Sequence, residues 1–222
     1  MTVFDIVPRR KSRMALTFMP SPPQGIEGAE YEGEKLLIDK EIVARCDIKK
    51  GTELALEDVK QLVYVSECYR AKNRAVWLLS GQDYSEKSLY NKLLKSFTEK
   101  ASAFAVAQMK NKGYVDDKRY AKALAEKFKN QNMSLRQIKE KLMLKGVSGD
   151  VSAEILGELE LSPSEVDRVV ALIKSKYKNK ISSEEERKKT FQALMRRGFS
   201  YSDIKKAMEL SCNTDCFDEE IY

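Results

Sequence analysis

Three sets of side chains in this sequence have types and spacings suited to chemistry. They are the adjacent carboxylates Asp116 and Asp117, the cysteines Cys46, Cys68, Cys212 and Cys216, and 40 Lys and Arg residues. Neighbouring carboxylates suggest a metal or acid–base pair. No third carboxylate follows at ligand spacing, so the pair reads first as the acidic start of a helix, next to the positive end of its dipole. The cysteines form no C-x-x-C pair, and Cys212 and Cys216 stand in an acidic segment without further soft ligands. A zinc site is therefore not expected. Histidine is absent, which removes Ser-His-Asp and Cys-His catalysis, imidazole metal ligands and histidine proton shuttles. Neither a G-x-x-x-x-G-K-S/T loop nor a G-x-G-x-x-G turn is present to cradle a phosphate. The expectation is a protein that is not an enzyme and carries no cofactor.

That leaves the basic residues. The net charge is +6, unevenly spread. Residues 110–145 hold eleven basic against four acidic side chains, +7, and residues 174–206 again eleven against four, +7. Residues 146–173, between them, hold one basic and six acidic side chains, −5. Blocks of this kind attract polyanions through their summed field and the release of counterions. Taken singly, each lysine is a solvated side chain. Arg196-Arg197, beside Gly198, stand out because arginine grips phosphate or carboxylate with two parallel hydrogen bonds. The partner is a nucleic acid or an acidic protein surface.

These residues need elements to hold them. Before residue 65 the short apolar runs Met14–Met19 and Lys35–Asp39, separated by Pro- and Gly-rich turns, read as a small antiparallel β element. From Leu56 onward Pro163 is the only proline, and apolar residues recur at helical spacing. Stripes such as Leu89, Leu93, Leu94 and Phe97, or Val166, Val169, Val170, Ile173 and Tyr177, suggest nine helices in three groups. Expected N-caps are Ser85, Thr98, Asp116, Ser134, Ser162 and Ser202-Asp203, with Ser162, Pro163 and Glu165 forming a capping box. Gly113, Gly146 and Gly198 stand where helices should stop. Trp77, on a helix of small residues, reads better as a core residue than as a base-stacking platform. Tyr90, Tyr201 and Phe199 could stack bases, although Phe199 reads better as a staple between the last two helices.

A repeat underlies the pattern. Leu142-Met143-Leu144-Lys145-Gly146-Val147-Ser148 aligns with Leu194-Met195-Arg196-Arg197-Gly198-Phe199-Ser200, 52 residues later. Leu93–Thr98 fits the same frame 50 residues earlier, with Ser96 in the glycine slot. The fold class expected is mainly α: three tandem three-helix repeats stacked into an elongated, curved body, with a small N-terminal β element. The divisions are 1–65 (β-containing), 66–113, 114–161 and 162–211 (three-helix repeats) and 212–222 (acidic tail).

Three segments carry a resemblance. They are Gly113-Tyr114-Val115-Asp116-Asp117 with Tyr120-Ala121; Leu135-Arg136-Gln137-Ile138-Lys139-Glu140-Lys141-Leu142 with Lys145-Gly146-Val147; and Phe191-Gln192-Ala193-Leu194-Met195-Arg196-Arg197-Gly198-Phe199-Ser200 with Ile204. In this order and spacing, over roughly residues 66–210, the chain resembles the RecX family, bacterial regulators of the RecA recombinase. The resemblance implies tandem three-helix repeats, binding within the groove of the RecA–DNA filament, and inhibition or modulation of its ATPase and strand exchange.

The residues expected to contact the partner are Arg119, Arg136, Lys139, Lys145, Lys188, Lys189, Arg196, Arg197 and Lys205. The partners expected are the RecA filament and single- and double-stranded DNA. The protein is expected to act as a monomer in the cytoplasm, since no secretion signal and no run of ~20 apolar residues appears. Two other classes stay open: a helix-turn-helix-like DNA-binding protein acting without a recombinase, and a helical protein-interaction scaffold. Magnesium-dependent cleavage at Asp116 and Asp117 is a distant further reading.

Overall fold

The computed structural model describes residues 1–10, 12–160, 164–177 and 183–215, with residues 160 and 212–215 described by their backbone alone. Ser162, Pro163, Cys216 and the acidic residues 218–220 lie outside the described residues. The chain forms two compact units, Met1–Asp116 and Asp117–Tyr222.

The first unit starts with a four-stranded antiparallel sheet: β1 (Thr2–Arg9), β2 (Arg13–Met19), β3 (Glu30–Glu32) and β4 (Lys35–Asp39), in spatial order β1-β2-β4-β3. The runs at 14–19 and 35–39 are strands, as their alternation requires. β1 and β3 go beyond that expectation. β1 is rich in β-formers but contains Pro8, which is tolerated there because β1 is an edge strand. The register pairs Leu16 with Leu36 and Met14 with Ile38. Val3, Leu16, Phe18, Leu36 and Ile38 are buried against Ile42 and Val43 of α1 (Lys40–Arg45) and Val59, Leu62 and Val63 of α2 (Leu56–Gly81). Residues 42–45 are helical, within α1.

α2 has 26 residues and runs unbroken through positions 65 and 66. Its first half completes the sheet core. Its second half, through Cys68, Ala71 and Ala75, packs with α3 (Glu86–Leu93) and α4 (Glu99–Asn111) around Leu89, Leu93, Ala101, Ala105 and Met109. Between the two cores sits a polar layer. The Asp39 N–H donates to Ser66 Oγ (3.1 Å), and Ser66 Oγ donates back to Asp39 Oδ2 (3.0 Å). Arg13 pairs with Glu30 (2.8 Å), and Arg70 reaches both Glu30 and Asp39. Burial pushes the Asp39 carboxyl above its usual range, against the hydrogen bond from Ser66 and the charges of Arg13 and Arg70. At the more open Glu30, burial acts in the same sense but the two guanidiniums outweigh it, and its pKa falls.

Glu67, 4% exposed, belongs to the same layer. Its carboxylate accepts from the Thr98 N–H and the Thr98 hydroxyl, both at 2.7 Å. Thr98 in turn caps α4 by accepting from the Ala101 N–H. The backbone at Gly28 (φ +77°) passes so close to the Glu67 carboxylate that a Cβ would not fit.

The second unit contains α5 (Asp117–Asn130), α6 (Leu135–Leu144) and α7 (Gly149–Glu160) around Ala121, Ala125, Phe128, Ile138, Leu142 and Val147. It continues with α8 (Glu165–Leu172), extended by a π-helical turn over Ile173–Tyr177, then α9 (Glu184–Arg196) and α10 (Tyr201–Asp215). Val169, Leu172, Ile173, Leu194, Phe199, Ile204 and Ala207 form the core here. The 52-residue offset is physical: Leu142 and Leu194, Val147 and Phe199, and Ile155 and Ala207 are each buried in equivalent places. Gly146 and Gly198 both take positive φ, +84° and +79°.

Several local expectations are corrected. Ser96 is not among the residues with positive φ. The turn before α4, residues 94–98, is one residue longer than the turns at 145–148 and 197–200, which pass through glycine at positive φ. α8 is capped by Ser164, which accepts from the Asp167 N–H (3.2 Å), two residues after the expected start at Ser162. α10 is capped by Ser200, accepting from the Asp203 N–H (3.1 Å), instead of Ser202. Trp77 is 62% exposed and outside the core. Ala71 and Ala75 of α2 and Ala101 and Ala105 of α4 are fully buried. Small side chains on both helices permit a close approach that leaves no space for an indole.

The Glu67–Thr98 pair gives a direct test. Glu67→Ala is expected to destabilise the first unit by about 1–3 kcal/mol, since it strands the two partly buried donors of Thr98. Thr98→Ala removes a cap at about 1 kcal/mol. In a double-mutant cycle read by urea unfolding, the two should couple by at least ~0.5 kcal/mol. Simple additivity would mean that the carboxylate does not hold the cap.

Candidate basic binding surface

All nine basic residues singled out from the sequence lie in the second unit. Arg119 is on α5, Arg136 and Lys139 are on α6, and Lys145 is the residue after it. Lys188, Lys189 and Arg196 are on α9, Arg197 follows it, and Lys205 is on α10. All are exposed except Arg197, which is half-buried.

Acidic partners temper the two basic blocks. Arg136 pairs with Glu140 (3.3 Å), Lys188 with Glu184 (2.8 Å) and Lys189 with Glu185 (4.0 Å), each one turn along its own helix. Glu184, Glu185 and Glu186 open α9, where the helix dipole favours acids. The acidic block 146–173 is not merely a spacer between basic ones. Its helix α7 packs on α5, so that Lys118 meets Glu154 (2.8 Å) and Lys122 meets Glu158 (3.3 Å). These pairs are exposed, and such pairs contribute only ~0–1 kcal/mol each, so an incoming polyanion can replace them.

One place brings predicted residues together through the backbone. The turn that ends α9 abuts the turn that starts α6. The Ser134 N–H donates to the Arg197 carbonyl (3.2 Å), and Gln137 Nε2 donates to the Arg196 carbonyl (2.9 Å). Ser134 Oγ meanwhile caps α6 by accepting from the Gln137 N–H (3.2 Å). The last carbonyls of one helix thus satisfy groups at the first turn of another. Arg136, Arg196 and Arg197 are gathered at this joint, with Lys139 one turn further along α6. The two bonds that make the joint do not involve Arg119, Lys145, Lys188, Lys189 or Lys205.

Gly198 makes the approach possible. Its φ of +79° suits glycine, and a Cβ there would stand 2.6 Å from Ser134 Oγ and 3.1 Å from Gln137 Cγ. A second clasp lies beside it. Glu165 Oε1 accepts from the Leu135 N–H (2.7 Å), and Arg168 donates to the Met133 carbonyl while pairing with Glu165 (3.6 Å). Burial lowers the pKa of Arg168, and the Glu165 carboxylate opposes that shift. Glu165 therefore works across to α6, and the expected capping box with Ser162 and Pro163 lies outside the described residues. Gln137, Glu165 and Arg168 were not singled out as joint residues. Their only sequence signal is polarity at positions flanked by core residues.

The aromatic candidates divide. Phe199 is 2% exposed within the last core, as a staple should be. Tyr90 is half-buried against the first helical core. Tyr201 is exposed and meets Phe191 edge-on, with centroids 5.0 Å apart. Among the described residues no group of three or more Cys, Asp or Glu could hold a metal ion, and no helix is long and apolar enough to cross a membrane.

Comparisons with known proteins converge on one family. Residues 164–208 match the family model described as RecX, third three-helix domain. The regulatory protein RecX of Caldanaerobacter subterraneus subsp. tengcongensis is 34% identical over 185 residues, covering 79% of this chain and 92% of that protein. The regulatory protein RecX of Clostridioides difficile is 31% identical over 191 residues, covering 82% and 87%. Two crystal structures share the fold. One, of regulatory protein RecX, has a TM-score of 0.61 at 20% identity, covering 92% of this chain and 98% of the other. The second, of RecX from Lactobacillus salivarius, has a TM-score of 0.57 at 22% identity, covering 66% and 97%.

Gly198 tests the joint. Gly198→Ala is expected to cost the second unit more than the ~1–2 kcal/mol of a left-handed L residue, because Ser134 must also move. Gly113 has positive φ with nothing within 4 Å of a Cβ, so Gly113→Ala should cost the backbone strain alone. Equal shifts in unfolding midpoint would mean that the close approach at Ser134 does not hold the joint.

Proposed function

The chain belongs to the RecX family, and on that premise we propose that it regulates homologous recombination by binding the RecA–DNA filament. It is a non-enzymatic regulator that needs no cofactor, acts in the cytoplasm as a monomer, and modulates RecA ATPase and strand exchange in the direction of inhibition. The three-helix repeats at 66–113, 114–161 and 162–211 carry the binding. The second and third supply the basic surfaces: Arg119, Arg136, Lys139 and Lys145 from one, Lys188, Lys189, Arg196, Arg197 and Lys205 from the other. These surfaces meet the filament's acidic protein face, its single- or double-stranded DNA, or both.

The observation that supports this reading best is the α9–α6 joint. It brings the backbone of Arg196 and Arg197 against Ser134 and Gln137, which flank Arg136 in the first turn of α6, across the 59 residues from Gln137 to Arg196. A gathered set of guanidiniums suits repeated phosphates or carboxylates, because each can bind with two parallel hydrogen bonds. Counterion release then makes the binding salt-sensitive.

The test reverses Arg136, Lys139, Arg196 and Arg197 to glutamate together and measures inhibition of RecA ATPase on single-stranded DNA. The half-maximal concentration should rise about tenfold or more, each factor of ten being ~1.4 kcal/mol. A folded variant that inhibits as well as the parent overturns the assignment. Tight, sequence-selective duplex binding without recombinase would favour the helix-turn-helix-like reading. Partner binding insensitive to salt would favour the scaffold.

A further inference from the structure

We propose that the second half of α2 carries a stacking site for the bases of single-stranded nucleic acid, centred on Trp77. The indole is 62% exposed, an unusual position for the residue with the most apolar surface to hide. Its rotation away from the core is fixed. Ala71 and Ala75 are fully buried on the same helix, and at 100° per residue position 77 falls well outside their stripe. Val76, beside it, is also exposed.

The surroundings select the ligand. The Arg74 guanidinium lies 4.2 Å from the indole centroid, and Lys72 Nζ lies 5.3 Å from the ring of Tyr69. Of the three basic residues between Cys68 and Gly81, Arg70 turns inward to Glu30 and Asp39, which leaves Lys72 and Arg74 for a ligand, with no acidic residue in that stretch. Tyr69 and Trp77, eight residues apart, are separated by about 12 Å along the axis and turned by only about 80°. The exposed Val76 adds apolar surface, but the charges at the rings are the cations Lys72 and Arg74, which suits flat rings strung on a polyanion. Bases stack on such a ring whatever their identity, and the cations take the phosphates. A duplex fits poorly, since its bases are already stacked on one another. The site lies in the first unit and the basic surface in the second, so either can fail alone.

Trp77 is the only tryptophan in the chain, so intrinsic fluorescence reports on this site without a label. Oligothymidylate or oligouridylate, added without recombinase, should quench it, and the quenching should weaken with salt. The two oligomers tell DNA from RNA. Trp77→Ala, checked for an unchanged unfolding midpoint, should weaken binding of a dye-labelled oligomer about 5- to 100-fold, and Trp77→Phe should recover part of that loss. The Arg136/Lys139/Arg196/Arg197 variant should keep the quenching at saturating oligomer. The proposal is overturned if saturating oligomer leaves the fluorescence unchanged or if Trp77→Ala binds like the parent. Quenching as strong with a duplex of equal length, or quenching by RecA protein alone and not by oligomer, overturns it too.

Discussion

A short helix cannot satisfy its own ends, and this fold is organised by that constraint. The first N–H groups and last carbonyls of any α-helix lack intrahelical partners. Among the described residues no helix from α3 to α10 exceeds fifteen residues, so the unsatisfied groups are a large share of the backbone. Ser85, Thr98, Ser134, Ser164, Ser183 and Ser200 meet part of the demand with side-chain caps. The rest is met by tertiary contacts. Glu67 holds Thr98 at the start of α4, Glu165 takes the Leu135 N–H, and the carbonyls ending α9 bind Ser134 and Gln137. The joint that positions Arg136, Arg196 and Arg197 is one more solution to the same problem.

The parts of this architecture that depend on local preference or on period were legible in the sequence. Gly113, Gly146 and Gly198 stop helices because only glycine takes positive φ without strain, and Leu142 and Leu194 recur because each repeat needs the same core position filled. Where two nearby residues offered the same chemistry, sequence alone chose the wrong one, as with Ser162 against Ser164 and Ser202 against Ser200. Trp77 was misplaced because its apolar character suggested burial, whereas the alanines facing α4 had already set the helix rotation. The bond from Gln137 to Arg196 was not legible, since a polar residue beside buried Ile138 is an ordinary feature of an amphipathic helix and nothing in the sequence pairs it with a carbonyl 59 residues away.

Charge shows a similar division. The two +7 blocks are real in composition, yet α7 brings its acids onto α5, and α9 opens with three glutamates. What remains distinctive is where the arginines stand: the carbonyls of Arg196 and Arg197 are tied to the first turn of α6, which also carries Arg136.

The long helix α2 separates the first three-helix unit from the other two in kind. The later repeats each close on their own core, so an array of this sort can lengthen or shorten by whole units, as solenoid proteins do. The first cannot be exchanged so freely. Val59, Leu62 and Val63 are buried by the sheet and Cys68, Ala71 and Ala75 by α3 and α4, all from one continuous helix. A descendant that shed the sheet would have to rewrite the first half of α2 in polar residues, or begin the helix near Ser66. The seam for losing or gaining the N-terminal element thus runs through the middle of a helix, and not through the loop before it.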